Sequence, residues 1–168
     1  MAARFVVAPE KLPKFALARR RQHAIISGVT QTETPRIRTT HQVMFFDTDC
    51  AAVVHNIAYL RFIEVARTLL AEQLGMGLRD MAESQQFPVV VRTEIDYKSP
   101  ARLGDTVVVD GWLEKFERVR FWCGFKLTRA SDEALIAESR QALALIQMPA
   151  GKVMRLPADW PARFGRLG

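Results

Sequence analysis

The first long hydrophobic pattern in the chain has the period of an α-helix. Between Ile57 and Leu74, apolar side chains recur every three or four residues, and charged side chains such as Arg61 and Glu64 fall between them. Gly75 follows the last apolar position, and glycine often ends a helix because it adopts left-handed backbone conformations without a steric penalty. The pattern predicts an amphipathic helix of about five turns, with a second short helical piece near residues 78–85.

The remaining patterned segments have the period of β-strands. Residues 37–45 alternate apolar and polar side chains before the helix, and residues 87–97, 106–115, 119–129 and 135–148 form four β-rich runs after it. A single long helix can bury its apolar stripe only against a broad apolar surface, which an antiparallel sheet with one apolar face provides. The order of elements therefore predicts an α+β domain in which a five-stranded antiparallel sheet wraps around one long central helix.

Composition divides the chain into an arm, a core and a tail. Eight basic and two acidic residues lie within residues 1–40, whereas residues 41–168 hold sixteen of each, so the net charge of +6 comes from the N-terminal part. We expect residues 1–35 to form a basic, flexible arm, residues 36–150 the folded domain, and residues 151–168 a loose C-terminal strap. The Arg19-Arg20-Arg21 cluster could attract acidic partners, and an organelle transit peptide is a further interpretation of the arm.

Several classes of protein are disfavoured by what the sequence lacks. Its two cysteines, Cys50 and Cys123, provide neither a disulfide framework nor metal-ligand spacing, so we expect no metal, no cofactor and a reducing, cytoplasmic location. No apolar stretch approaches the roughly 18 residues of a membrane span. The arm lacks interleaved aromatic residues and any recognition motif, so nucleic acid is not an expected partner.

The candidate chemistry lies between the first strand and the helix. Asp47 and Asp49 close the strand, and a short apolar loop leads from them to the helix start. The first turn of a helix offers unpaired N–H groups and partial positive charge, which can hold an oxyanion as it forms. A carboxylate within reach could attack a substrate or activate water. Spacing alone supports equally well that the acids only end the strand and cap the helix.

Four segments, in this order, resemble the 4-hydroxybenzoyl-CoA thioesterase-like branch of the hotdog-fold thioesterases, which includes the YbgC-type acyl-CoA thioesterases. They are residues 45–59, residues 59–67, residues 87–97, and Ser99-Pro100-Ala101-Arg102-Leu103-Gly104-Asp105, which is similar to a Pro-Ala-Arg-x-Gly-Asp connection in that family. The resemblance implies a hotdog fold, hydrolysis of an acyl-CoA or acyl carrier protein thioester, and a homodimer or a dimer of dimers.

The resemblance also implies roles for individual residues. It puts the catalytic carboxylate, as nucleophile or general base, at Asp49, and the backbone N–H that polarises the thioester carbonyl near His55 and Asn56. We expect His55 to line the pocket or cap the helix rather than transfer protons, and Asp47 to make strand-end hydrogen bonds. The residues expected to bind substrate, the basic ones by contact with CoA phosphates, are Phe45, Val54, Tyr59, Arg92, Lys98 and Arg102.

Two departures from the family pattern and two alternative functions remain open. Ala51-Ala52 replaces a glycine-containing pair, so the geometry must differ if that turn needs a positive φ. Phe45 stands where many YbgC-type proteins have tyrosine, which predicts a more apolar pocket. Cys50 is expected to be a small buried residue rather than a nucleophile.

The alternative functions are a catalytically silent hotdog module that binds acyl thioesters and a hotdog dehydratase, and the acid at Asp49 argues against the former.

Overall fold

The computed structural model describes residues 34–165 of the 168-residue chain. Within that range the helices and strands follow one another as β1 (Arg36–Gln42), α1 (Asn56–Gln73), α2 (Leu78–Ser84), β2 (Gln86–Tyr97), β3 (Thr106–Phe116), β4 (Arg120–Arg129), β5 (Leu135–Gln147), β6 (Lys152–Val153) and α3 (Trp160–Phe164). The basic arm predicted for residues 1–35 lies almost entirely outside the described residues.

Five of these strands form an antiparallel sheet in the order β1-β3-β4-β5-β2, and the short β6 pairs with the end of β5. The buried residues of α1 join the inward side chains of β3, β4 and β5 in one hydrophobic core. The long helix and the five expected strands are all present, so the predicted hotdog architecture is confirmed. The two-residue β6 was not predicted.

The ends of α1 carry residues whose chemistry fits a helix boundary. His55 is the N-cap, and its side chain accepts a backbone N–H of the first turn. At the other end, Gly75 has a φ of 82° and the N–H of Met76 donates to the carbonyl of Ala71 at 2.8 Å. This Schellman arrangement satisfies carbonyl groups that the end of a helix leaves free. The predicted helix end near Gly75 is therefore confirmed.

The buried face of α1 is rotated from the predicted apolar stripe. Ile57 and Leu60 were expected on that stripe, but both are exposed. The aromatic side chains of Tyr59 and Phe62 are buried there, because a large aromatic side chain removes more apolar area from water. The stripe residues that are buried as predicted are Ile63, Ala66, Leu70 and Leu74.

Two strands differ from their predicted patterns. β1 ends at Gln42, and Phe45–Asp47 form a 3-10 turn in which the Asp47 carboxylate accepts the N–H of Met44 at 2.9 Å. The local hydrogen bond competes with the strand, as Asp side chains commonly do. β2 lies at an edge of the sheet, with a bulge between Val90 and Arg92, so its predicted apolar face is largely exposed. The predicted inward alternation of β4 is confirmed at Phe121, Cys123, Phe125 and Leu127.

The segment after Met148 is packed against the domain, so the prediction of a loose strap is wrong for its described part. Trp160 in α3 is fully buried, and the edges of three aromatic rings, Phe116, Phe121 and Phe164, contact it. Edge-to-face contacts of this kind add to the stabilisation from burial. A single buried tryptophan is difficult to recognise from periodicity, because the pattern needs several repeats.

Candidate active site

The loop from Thr48 to Val54 folds back on itself immediately before α1. Thr48 pairs with Val54, and the N–H of Asp49 donates to the carbonyl of Val53 at 2.9 Å. The Asp49 carboxylate is exposed, and its Oδ1 accepts the N–H of Ala51 at 2.8 Å. No other protein group within residues 34–165 hydrogen-bonds to this carboxylate, so its Oδ2 is available to a ligand or to water.

Asp47 has a different environment from Asp49. Its side chain is 1% exposed, and its two oxygens accept the N–H of Met44 and pair with the guanidinium of Arg61. Its backbone carbonyl accepts the N–H of His55 at 3.0 Å. The Asp47 carboxylate therefore holds the 3-10 turn against α1, in line with the strand-end role expected for it. Sequence reasoning missed Arg61 as its partner, because Arg61 lies on α1, 14 residues further along the chain, and gives no local signal.

Both nitrogen atoms of the His55 ring make hydrogen bonds. Its Nδ1 accepts the N–H of Ala58 at 3.2 Å, which assigns the proton to Nε2, and Nε2 donates to the carbonyl of Phe46 at 3.3 Å. The ring therefore caps the helix, one of the two roles expected for it. The backbone N–H groups of Asn56 and Ile57, which follow the cap, have no protein partner within the described range.

A cavity of about 340 Å³ opens beside the start of α1. Four of the predicted site residues line it, and three further lining residues were not predicted. The predicted ones are Val54, Asn56, Tyr59 and Lys98, and the others are Tyr97, Ser99 and Pro100. Ser99 and Pro100 belong to the connection that resembles the family motif, so the motif was the signal that could have found them.

Two tyrosines contribute aromatic surface to this cavity. The rings of Tyr59 and Tyr97 lie 5.5 Å apart between centroids, and the Tyr59 hydroxyl oxygen accepts the N–H of Ala101 at 2.9 Å. Burial raises the pKa of both phenols, so both are neutral at physiological pH. The Tyr59 hydroxyl keeps its own hydrogen as a donor.

Three of the predicted substrate-binding residues do not line the cavity. Phe45 lies in the 3-10 turn with 82% of its surface exposed. The side chain of Arg92 pairs with Glu94 across 2.7 Å on β2. Arg102 lies on the loop between β2 and β3, where its backbone bridges to Val53, and its side chain is exposed.

A larger cavity of about 480 Å³ lies elsewhere, on a face of the sheet formed by β3, β4, β5 and β2. Its lining includes four carboxylates, those of Glu94, Asp96, Glu114 and Glu138, against one basic side chain, Arg140, and none of the residues of the Asp49 loop. Carboxylates repel an anionic ligand such as CoA at close range. The smaller cavity beside α1 is therefore the better candidate for the site.

Within residues 34–165, no cluster of His, Cys, Asp and Glu side chains is suited to hold a metal ion. In the same part of the chain no helix is both long enough and apolar enough to cross a membrane.

Both cysteines are unpaired. Cys50 is exposed, so the prediction that it is buried is wrong, while burial raises the pKa of the Cys123 thiol to about 12.

A single long helix packed on a curled antiparallel sheet, with an acid-bearing loop at its N-terminus, defines a hotdog-fold protein. A sequence profile of the thioesterase-like superfamily matches residues 43–164, most of the chain. The chain belongs to the thioesterase-like superfamily.

Individual relatives agree with this assignment. The chain is 32% identical over 95 residues to Bacillus subtilis YneP, provisionally named an acyl-CoA thioesterase, which covers 56% of this chain and 69% of that protein. It is 28% identical over 127 residues to the acyl-CoA thioesterase YbgC of Haemophilus influenzae, covering 75% and 92%. The crystal structure of a 1,4-dihydroxy-2-naphthoyl-CoA thioesterase from Synechocystis has the same fold, with a TM-score of 0.67 and 24% identity, covering 77% of this chain and 95% of that one.

Proposed function

We propose that this protein hydrolyses an acyl-CoA thioester to the free acid and the thiol. One observation carries the proposal: the Asp49 loop ends directly at the N-terminus of α1, so a carboxylate with a free oxygen and the free N–H of Asn56 belong to one short segment, of which Val54 and Asn56 line a cavity. The names of YneP and YbgC support acyl-CoA as the substrate class.

In the proposed reaction, the thioester carbonyl oxygen accepts the N–H of Asn56, and Asp49 acts on the carbonyl carbon. As a nucleophile, Asp49 would displace the thiolate and form a mixed anhydride that water then hydrolyses. As a general base, it would take a proton from a water molecule that attacks the carbon directly. In both routes the negative charge that develops on the carbonyl oxygen is stabilised by the helix N-terminus.

Lys98 is the best placed of the three basic residues proposed to contact CoA phosphates. It lines the cavity, and its Nζ lies 3.8 Å from Asp96, a loose ion pair that leaves the ammonium free to bind an anion. Arg92 is already held closely by Glu94, and Arg102 lies outside the cavity lining. An acyl carrier protein is the alternative thiol carrier, and the basic residues of the arm would attract its acidic surface.

The test is a hydrolysis screen across aliphatic and aromatic acyl-CoAs, with release of the CoA thiol as the readout. Asp49→Asn should lower kcat by about 10³-fold for the best substrate, because the variant loses the reacting group while keeping its size. Cys50→Ser, a substitution at the adjacent exposed residue, is the matched control and should stay within about twofold of the parent protein.

Two results would contradict the proposal. Hydrolysis of no thioester in the screen, together with binding of acyl-CoA, would favour the silent binding module. In such a module Asp49 would have a structural role only, because the one hydrogen bond of its side chain in the described range stabilises a turn. Undiminished hydrolysis by Asp49→Asn would refute the assignment of the reacting group.

A further inference from the structure

The loop between β2 and β3 holds the Asp49 loop in place. The N–H of Val54 donates to the carbonyl of Ala101 at 2.9 Å, and the N–H of Leu103 donates to the carbonyl of Ala52 at 3.3 Å. Val53 and Arg102 form a bridge between these two bonds. Residues 52–54, which lead from the Asp49 loop to the start of α1, are therefore paired residue by residue with residues 101–103.

The side chain of Arg129 contacts both ends of the loop between β2 and β3. Arg129, at the end of β4, donates from Nη2 to the carbonyl of Pro100 at 2.8 Å, and its Nε lies 3.1 Å from Oδ2 of Asp105. The Nε–H is not aligned with the carboxylate, so the contact with Asp105 is electrostatic rather than a hydrogen bond. Asp105 in turn accepts the N–H of Arg102 at 2.8 Å.

The third contact of Arg129 points away from the site. Its Nη1 donates to Asp132 at 2.8 Å, in the turn that follows β4. The Arg129 side chain is 21% exposed, so its inner contacts are screened less than those of a surface arginine. A planar guanidinium can bind three acceptors in fixed directions, which the point charge of a lysine ammonium cannot do.

We propose that Arg129 is a positioning residue for thioester hydrolysis. It touches no residue of the Asp49 loop, but it fixes Pro100 and Asp105, between which residues 101–103 pair with that loop. The position of the Asp49 carboxylate relative to the Asn56 N–H thus depends on Arg129. This inference rests on the proposed function, because displacements of about 1 Å in a reacting group can cost on the order of 10²-fold in rate.

The test compares Arg129→Met and Arg129→Lys with Asp132→Asn as the matched control. Arg129→Met should lower kcat by about 10- to 100-fold and change KM by less than about threefold, since substrate contacts remain while the reacting groups move apart. Arg129→Lys should recover part of the lost kcat, because an ammonium can still reach one of the two loop ends. Asp132→Asn loses only the outward contact, so its kcat should stay within about twofold of the parent.

Amide hydrogen exchange separates positioning from global destabilisation. At a temperature where circular dichroism shows every variant folded, Arg129→Met should exchange faster in peptides covering residues 48–56 and 100–105, and Asp132→Asn should not. An Arg129→Met protein with the exchange and kcat of the parent would overturn the inference, as would a loss confined to KM. If the parent protein hydrolyses no thioester, the proposed function fails, and exchange alone decides whether Arg129 holds the two loops.

Discussion

At the scale of single residues, Asp47 and Asp49 show how surroundings separate two identical side chains. Asp47 is buried, and both of its oxygens are occupied by Met44 and Arg61. Asp49 is exposed and keeps one oxygen free. A carboxylate that already has its full set of partners is poorly placed to attack a substrate, whereas the free oxygen of Asp49, in the loop that leads into α1, is available to do so.

Asp47→Asn should therefore act on stability rather than on chemistry. Losing the charge weakens the pair with Arg61, whose side chain is half-exposed, so we expect the free energy of unfolding to fall by about 1–3 kcal/mol. The kcat of the folded protein should stay within about tenfold of the parent. Urea unfolding and thiol-release kinetics check the two quantities, and Asp49→Asn should give the reverse pattern. Equal, modest losses of kcat in the two variants would contradict the division of roles.

Local sequence could indicate the acids but not their partners. The first turn of α1 and the resemblance to the family directed attention to Asp49, His55 and Asn56, because a strand end, a loop and a helix start are local features. Tyr97 was missed because it reaches the cavity from the end of β2, some forty residues further along the chain. Which side chains a distant strand brings to a helix depends on sheet order, and periodicity carries no information on sheet order.

At the scale of elements, the Asp49 loop contains a backbone conformation that its sequence does not favour. Ala52 has a φ of 56°, in the left-handed region where a Cβ atom costs roughly 1–2 kcal/mol. The sequence raised this question, because a glycine-containing pair is common at Ala51-Ala52 in the resembling family. The chain thus keeps the turn although it lacks the glycine, and the bonds of Ala52 to Asp49 and Leu103 hold it there.

Ala52→Gly should raise the free energy of unfolding by about 0.5–1 kcal/mol, because the relief of strain exceeds the entropy that glycine adds to the unfolded chain. Ala51→Gly is the control. Ala51 is not among the described residues with positive φ, so the same substitution there should lower stability by about 0.5–1 kcal/mol. Urea denaturation of the two variants gives the comparison. If both variants were destabilised alike, the left-handed conformation of Ala52 would be refuted.

Elements with many repeats were predicted well, and so was the C-terminal end of α1, but the end of β1 was not. The alternation of β4 and the period of α1 each extend over ten or more residues, so a few exceptions do not hide them. The strand predicted to run to Phe45 ends three residues earlier, because the N–H of Met44 donates to Asp47 and the alternation of these last residues is weak. The burial of α3 depends on Trp160. The helix is too short to show a hydrophobic period that would predict this burial.

At the scale of the whole molecule, the two edges of the sheet differ in how they meet solvent. The edge strand β1 is short and carries Arg36 and Arg38, charges that discourage pairing with another strand. The edge strand β2 has 12 residues, and Val89 and Val91 on it are 44% and 51% exposed. A long edge strand with exposed valines favours association through its free backbone groups. β2 also ends at the candidate cavity, through Tyr97.

We therefore expect the active species to be a dimer, or a dimer of dimers, in which β2 of one subunit lies beside β2 of its partner and closes the cavity. A Val89→Asp, Val91→Asp double variant should shift the protein toward monomer and lower thioester hydrolysis, because it buries carboxylates at the joined edge. Thr40→Asp, an exposed position on β1, is the control and should leave mass and rate unchanged. Light scattering across a dilution series measures the mass, and thiol release measures the rate.

A monomer with full specific activity would refute a shared site. A dimer broken by Thr40→Asp but not by the valine variant would place the contact on β1 instead, since only the strand that forms the interface is sensitive to a new charge.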